Sequence, residues 1–236
     1  MNAQAPPTLM LLPGLHGTDE LFAPLLEQLP ASLPTLRVNY PADAAMACEA
    51  YVDFVRQRLP ADRSVVLLGE SFSGPIAYRV AQQERSLVRG VVLAASFVSE
   101  PHPFLMRLTE YLPLGWITAT RPARFMARRR LLNADPPAEV EAMLKTVMDR
   151  ADPEVMAHRL RCIRRVGRPD ETLDVPCCCI RATRDRVVPA RSIREVRRAF
   201  GDVRVVDIDG PHLILQTRPR AAAEAILAFL DSLGAR

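Results

Sequence analysis

A serine, a histidine and an aspartate stand where three strand-end loops are expected. Ser71 follows the apolar run Val65-Val66-Leu67-Leu68, within Gly69-Glu70-Ser71-Phe72-Ser73-Gly74. A strand that turns sharply into a helix holds such a serine clear of the sheet, and the crowded backbone there demands small neighbours. Gly69 and Gly74 meet that demand. Ser73 takes the position two after the serine, so the pattern is G-x-S-x-S-G rather than G-x-S-x-G. Ordinary strand-to-helix turns can look similar, so the partners must decide.

A serine hydroxyl is a weak nucleophile until a base takes its proton, and the base needs a carboxylate to orient it. Of His16, His102, His158 and His212, the last lies in Asp209-Gly210-Pro211-His212, directly after the final expected strand. His102 and His158 fall in a region without strands and are read as non-catalytic. Asp185, in Arg184-Asp185-Arg186-Val187-Val188-Pro189, follows the fifth expected strand and is the candidate acid. Asp207 lies within the last strand, and Asp209 is too near His212 in sequence. The loop after the fourth strand, Ala94-Ala95-Ser96-Phe97, carries no carboxylate. A tetrahedral intermediate also needs preset N–H donors. Phe72 N–H, at the helix start, is one candidate. Leu15 N–H is the other, in the glycine-containing loop Leu12-Pro13-Gly14-Leu15-His16-Gly17-Thr18.

Elements of alternating type must carry these loops. Thr8–Pro13, Thr35–Tyr40, Ser64–Gly69, Gly90–Ser96, Cys177–Ala182 and Val203–Ile208 read as strands, several apolar throughout. Helical stretches fall near 20–29, 44–59, 72–84, 190–200 and 218–233. The alternation implies βαβ units, and the unbroken apolar runs imply parallel strands covered on both faces. From Glu100 to Asp174 no strand is evident, and helices are expected near 137–149 and 153–166. That interval is too long for a simple connection. The expected class is therefore α/β, a mostly parallel six-stranded sheet flanked by helices, with a helical cap inserted after the fourth strand. Residues 1–99 and 175–236 form the expected core, and 100–174 the cap.

Composition excludes several function classes. The 236 residues are 49% hydrophobic and 25% charged, ample for one packed domain. No apolar run approaches a membrane span, and none suits a signal peptide, so a cytoplasmic location is expected. Arginines cluster at Arg124, Arg128, Arg129 and Arg130, and again at Arg159, Arg161, Arg164, Arg165 and Arg168, without interleaved aromatics. A solvated helix face is the default, and nucleic-acid binding is not indicated. Three of the five cysteines, Cys177, Cys178 and Cys179, are consecutive, which suits neither a disulfide framework nor a spaced zinc site. Cys48 and Cys162 complete the set, and all five read as small buried residues. No metal or organic cofactor is expected.

The pieces Leu-Leu-Pro-Gly-Leu-His-Gly-Thr at 11–18, Leu-Gly-Glu-Ser-Phe-Ser-Gly at 68–74, Arg-Asp-Arg-Val-Val-Pro at 184–189 and Gly-Pro-His at 210–212 together resemble the α/β-hydrolase superfamily. The resemblance spans essentially the whole chain. Relatives usually have His-Gly in the oxyanion loop; here Pro13 replaces that histidine, and a second His-Gly pair, His16-Gly17, lies three residues on. In that second frame the donor would be Thr18 rather than Leu15. The resemblance implies catalysis by Ser71, Asp185 and His212, with a pocket between core and cap. The early cap residues Phe97, Val98, Phe104, Leu105, Met106, Leu112, Leu114, Trp116, Ile117, Phe125 and Met126 suggest an apolar cleft. The expected function is serine-dependent hydrolysis of carboxylic esters with an apolar acyl or alcohol part. A thioesterase or acyltransferase acting on CoA- or carrier-linked groups is the chemical alternative, with an acidic carrier protein as a partner for the basic cap. A non-catalytic binding protein on the same shell is the rival from another class.

Overall fold

The computed structural model describes residues 7–102, 120–133 and 136–234. Six parallel strands form one sheet: β1 (Thr8–Leu12), β2 (Thr35–Arg37), β3 (Val65–Glu70), β4 (Val88–Ala94), β5 (Cys177–Ala182) and β6 (Val203–Ile208), in the order β2-β1-β3-β4-β5-β6. The inner strands are buried on both sides because side chains alternate between two cores. Met10, Leu12, Leu67, Val91 and Leu93 enter one cluster. Leu9, Leu11, Val66, Leu68 and Val92 enter the other. The cysteine run obeys the same rule: Cys177 and Cys179 face one core, Cys178 the other, and all three are free and buried. β2 is shorter than the apolar run suggested, as an edge strand with one neighbour can be.

The helices are α1 (Ala23–Leu26), α2 (Ala50–Arg56), α3 (Gly74–Gln83), α4 (Arg121–Leu132), α5 (Ala138–Arg150), α6 (Pro153–Arg165), α7 (Ile193–Ala199), α8 (Ile214–Thr217) and α9 (Pro219–Gly234). Among the described residues, three of them, α4 to α6, lie in the insertion between β4 and β5. On α5 the spacing Val140, Leu144, Val147 makes one apolar stripe, which packs with Leu132 onto Leu21 and Leu213 of the core. Asp152 caps α6, its carboxylate accepting from Glu154 and Val155 N–H, with Pro153 at the first helical position. Sequence patterning gave no sign of α4, whose arginines leave little apolar periodicity; Phe125 and Met126 on it are 58% and 59% exposed. The cap residues Phe104, Leu105, Met106, Leu112, Leu114, Trp116 and Ile117 lie outside the described residues. Among the described residues no helix is long and apolar enough to cross a membrane.

Strand order fixes where a site can form. From β1 the chain moves outward to β2, and from β3 it moves the other way to β4. The loops leaving β1 and β3 therefore diverge and open a crevice at the carboxyl edge of the sheet.

One expectation about cysteine is overturned. Cys48, in the loop before α2, and Cys162, on α6, form a disulfide across 114 residues of sequence. It ties the cap to the core. The odd cysteine count and the triple run hid a pair whose partners only the fold brings together.

Candidate active site

Ser71 has φ of 47°, in the left-handed region that a non-glycine residue enters only under constraint. Close packing behind the turn supplies the constraint. A Cβ on Gly74 would sit 2.2 Å from Phe97 O and from Ser96 Oγ. Ser96 Oγ–H in turn donates to Ser71 O at 2.6 Å. Ser73 does more than stay small. Its buried hydroxyl donates to Pro13 O at 2.5 Å, so it must accept from Tyr40 OH at 2.7 Å. The Ser71 turn is thus fastened to the end of β1.

His212 is buried at 3% exposure in the loop after β6. Its Nδ1 lies 2.8 Å from Asp185 Oδ2, and its Nε2 lies 2.9 Å from Ser71 Oγ. A carboxylate can only accept, so Nδ1 carries the proton and the Nε2 lone pair faces the serine hydroxyl. Asp185 is itself fixed, because Oδ1 accepts from Val187 N–H at 2.7 Å and Val188 N–H at 2.9 Å. The two competing carboxylates are engaged elsewhere: Asp207 with Arg181 through two 2.7 Å bonds, Asp209 with Thr183 and Arg184.

The loop after β1 is a preset turn. Gly17 N–H donates to Gly14 O at 3.0 Å. In a trans peptide the N–H points opposite to the carbonyl, so Leu15 N–H faces away from that turn. Gly14, Leu15 and His16 line the same cavity as Ser71 and His212, whereas Thr18 does not. His16 Nε2–H donates to Thr18 O at 2.8 Å, and burial lowers its pKa to about 4. The ring is therefore neutral at pH 7.

The residue that fixes this loop comes from the cap, and sequence reasoning missed it. Arg159 on α6 sits in a basic run read as a solvated face, yet it is 2% exposed. Its Nη1 donates to Leu15 O at 2.9 Å and His16 O at 2.7 Å, and its Nη2 to Pro41 O at 3.0 Å. Its Nε reaches Tyr51 OH at 3.3 Å, and the guanidinium lies 5.9 Å from the ring centres of Tyr40 and Tyr51. Gly17, with φ of 82°, leaves it room: a Cβ there would sit 2.1 Å from Nη1. Cys162 is three residues further along the same helix, so the disulfide anchors the helix that carries this arginine. No short motif signals a long-range contact of this kind.

Ser71 and His212 open into a cavity of about 310 Å³ between core and cap. Its apolar wall includes Phe97, Leu131, Leu144, Met148, Met156 and Leu160. Of the early cap residues expected there and described, Phe97 lines it and Val98, Phe125 and Met126 do not. His102 also reaches the wall, its Nε2–H donating to Val187 O at 2.7 Å, which ties it to the Asp185 loop. His158 lies instead beside the disulfide, 3.4 Å from Cys162 Sγ. Among the described residues, Cys48, His158 and Cys162 are a grouping of metal-ligand type, and the two sulfurs are bonded to each other.

No curated protein matches the chain by sequence. Among solved structures, the fold is similar to a thermophilic esterase from Thermogutta terrifontis, with TM-score 0.81 and 18% identity over 98% of this chain and 92% of that one. It is also similar to the enol-lactonase from Burkholderia xenovorans LB400, with TM-score 0.77 and 19% identity over 98% and 94%. A lipase-esterase related protein from Clostridium acetobutylicum ATCC 824 gives TM-score 0.77 and 17% identity over 97% and 96%. The Alpha/beta hydrolase family model matches residues 9–225, and with a match over most of its length the chain belongs to that family.

Proposed function

We propose that the protein is a serine hydrolase cleaving carboxylic esters through an acyl-enzyme. The continuous contact from Ser71 Oγ to His212 to Asp185, at the floor of an apolar cavity, carries this reading. Ser71 Oγ attacks the acyl carbon as His212 Nε2 takes its proton. Asp185 holds the ring in the needed tautomer and stabilises the imidazolium. The N–H groups of Leu15 and Phe72 receive the developing oxyanion. His212 then gives its proton to the leaving alcohol. A water, deprotonated by the same nitrogen, returns the acid product and the free serine. Every proton moves through His212, so the scheme asks nothing of a metal or organic cofactor.

The cavity favours an ester with an apolar acyl or alcohol part and of modest size. Thioester hydrolysis or acyl transfer uses the same groups and remains the alternative. An acidic carrier at the basic cap belongs to that alternative, and its approach would rest on cap arginines other than Arg159, which is inside. Turnover of p-nitrophenyl and methyl esters of graded chain length, beside CoA thioesters, tests the reading. Ester turnover that vanishes in Ser71→Ala is the expected result. Turnover confined to thioesters would replace it with the alternative, and no turnover of any member would favour a binding protein.

A further inference from the structure

Glu70, the residue before the nucleophile, is a buried carboxyl at 2% exposure that the proposed mechanism does not use. It lines the catalytic cavity beside Gly14 and Ser71. Its Oε1 accepts from Gln216 Nε2 at 2.8 Å, and the same Nε2 donates to Leu21 O at 3.1 Å. Gln216 lies on α8, four residues after His212. Leu21 follows the oxyanion loop. One carboxyl therefore touches the nucleophile strand, the segment behind the base and, through Gln216, the segment beyond Leu15. Gly14 packs at the other carboxyl oxygen: a Cβ there would lie 3.6 Å from Oε2.

The hydrogen-bond inventory of this pair does not close with a carboxylate. Glu70 Oε2 and Gln216 Oε1 are both buried and neither meets a donor in full hydrogen-bond geometry, Gly14 N–H being only an approximate partner on the Glu70 side; both are acceptors if Glu70 is ionised. Orphaned buried acceptors are costly. A proton on Glu70 supplies the donor that this patch lacks.

We infer that Glu70 works as an uncharged acid, a positioning residue that references the oxyanion loop and the His212 segment to one group beside Ser71. Burial pushes its pKa upward, against smaller opposing effects of Gln216, His212 and Gly14 N–H. The charged or titratable groups that share its cavity are His16 on the oxyanion loop, His212, backed by Asp185, His102, and Arg124 and Arg130 of α4. Arg159 stands beyond the loop. The segment through Leu21 presents a carbonyl, and α8 presents the neutral Gln216. A neutral Glu70 leaves Asp185 as the single negative partner of His212, so the base is not made too strong to release its proton to the leaving group.

Part of the test needs no activity. The folded protein should hold a proton on Glu70 that the unfolded chain releases above about pH 4.5. Folding stability should then fall, relative to Glu70→Gln, as pH rises above that value. Denaturant unfolding of both proteins from pH 4.5 to 8 measures the difference. A widening gap in favour of Glu70→Gln is expected, and parallel profiles would overturn the inference.

The kinetic part rests on the serine-hydrolase reading. Glu70→Gln should keep kcat/KM within about threefold of the wild type. The acid limb of its pH–rate profile should not move. Glu70→Leu should lower kcat and the rate of Ser71 phosphonylation by tenfold or more, with KM within twofold. A Glu70→Gln acid limb displaced to lower pH would show a charged Glu70 and sink the idea. Should Glu70→Leu fail to fold, the Glu70→Gln profiles still decide. A wild type that no phosphonate labels would instead remove the proposed function and leave the stability result standing.

Discussion

The edge of the sheet and the cap junction hold the site in different ways. At the edge, each candidate side chain sits in a short strand-end loop: Asp185 is held by Val187 and Val188 N–H, Ser71 by a strained turn that Ser96 and Pro13 brace from the neighbouring strands, and His212 by Asp185. At the junction, Arg159 and the Cys48–Cys162 disulfide act across more than a hundred residues. The first region carries chemistry written in short motifs. The second carries geometry written only in the fold. If that division is right, changes at the edge should abolish turnover while sparing stability, and changes at the junction should cost stability, with turnover following only where Arg159 itself is lost.

The sharpest expected effect at the edge is from Asp185→Asn. It keeps the shape but allows the wrong His212 tautomer, and kcat should fall by about 10²- to 10⁴-fold with the thermal midpoint little changed. Steady-state ester kinetics beside thermal unfolding check this. An equal loss in stability would blur the division. At the junction, Arg159→Met should lower kcat by about 10- to 100-fold, because Leu15 loses its tether. It should also cost about 2–4 kcal/mol of stability, since the carbonyls of Leu15, His16 and Pro41 lose a buried donor. Unchanged phosphonylation kinetics in a folded Arg159→Met protein would detach the cap from the oxyanion loop.

Reduction of Cys48–Cys162 should come next in size. Opening a long cross-link removes about 2–4 kcal/mol, a model-dependent figure. Arg159 keeps its own contacts, so turnover should change less than threefold. Denaturant midpoints with and without a thiol reductant, and in Cys48→Ser, measure it; the serine variant should be insensitive to reductant. The smallest expected effect is at His16. Burial holds the folded pKa near 4, below the unfolded value of 6.5. The unfolded chain then binds more protons between those values, so stability is full above 6.5 and is lost as pH falls toward 4. His16→Gln should flatten that part of the profile, and an unchanged slope would assign it to other groups.

The same division explains what could be read without coordinates. β1, β3, β4 and β5 were legible because a parallel strand buried on both faces is a nearly unbroken apolar run, and the partly exposed edge strands β2 and β6 were placed by the alternation of strands with helices. Ser71, Asp185 and His212 were legible because each follows an expected strand, and their meeting at hydrogen-bond distance follows from strand order. The cap was legible only as a gap in the rhythm. Helix α4 escaped because its run of arginines leaves little apolar period, although Arg124 and Arg128 turn to pair with Asp149 and Glu141. Arg159 and Cys162 escaped because helical spacing shows that two residues share a face, but not that the face is buried. Ser73 was read as merely small, since nothing local announces that its hydroxyl joins Pro13 to Tyr40.

The central claim is that Ser71 Oγ is a nucleophile activated by His212. Incubation with a fluorophosphonate followed by mass spectrometry of the peptide containing residues 65–79 tests it most directly. The account predicts one phosphonyl group per chain on Ser71, lost in Ser71→Ala and formed at least tenfold more slowly in His212→Ala. A folded wild-type protein that stays unlabelled, or a label that persists in Ser71→Ala, would contradict it.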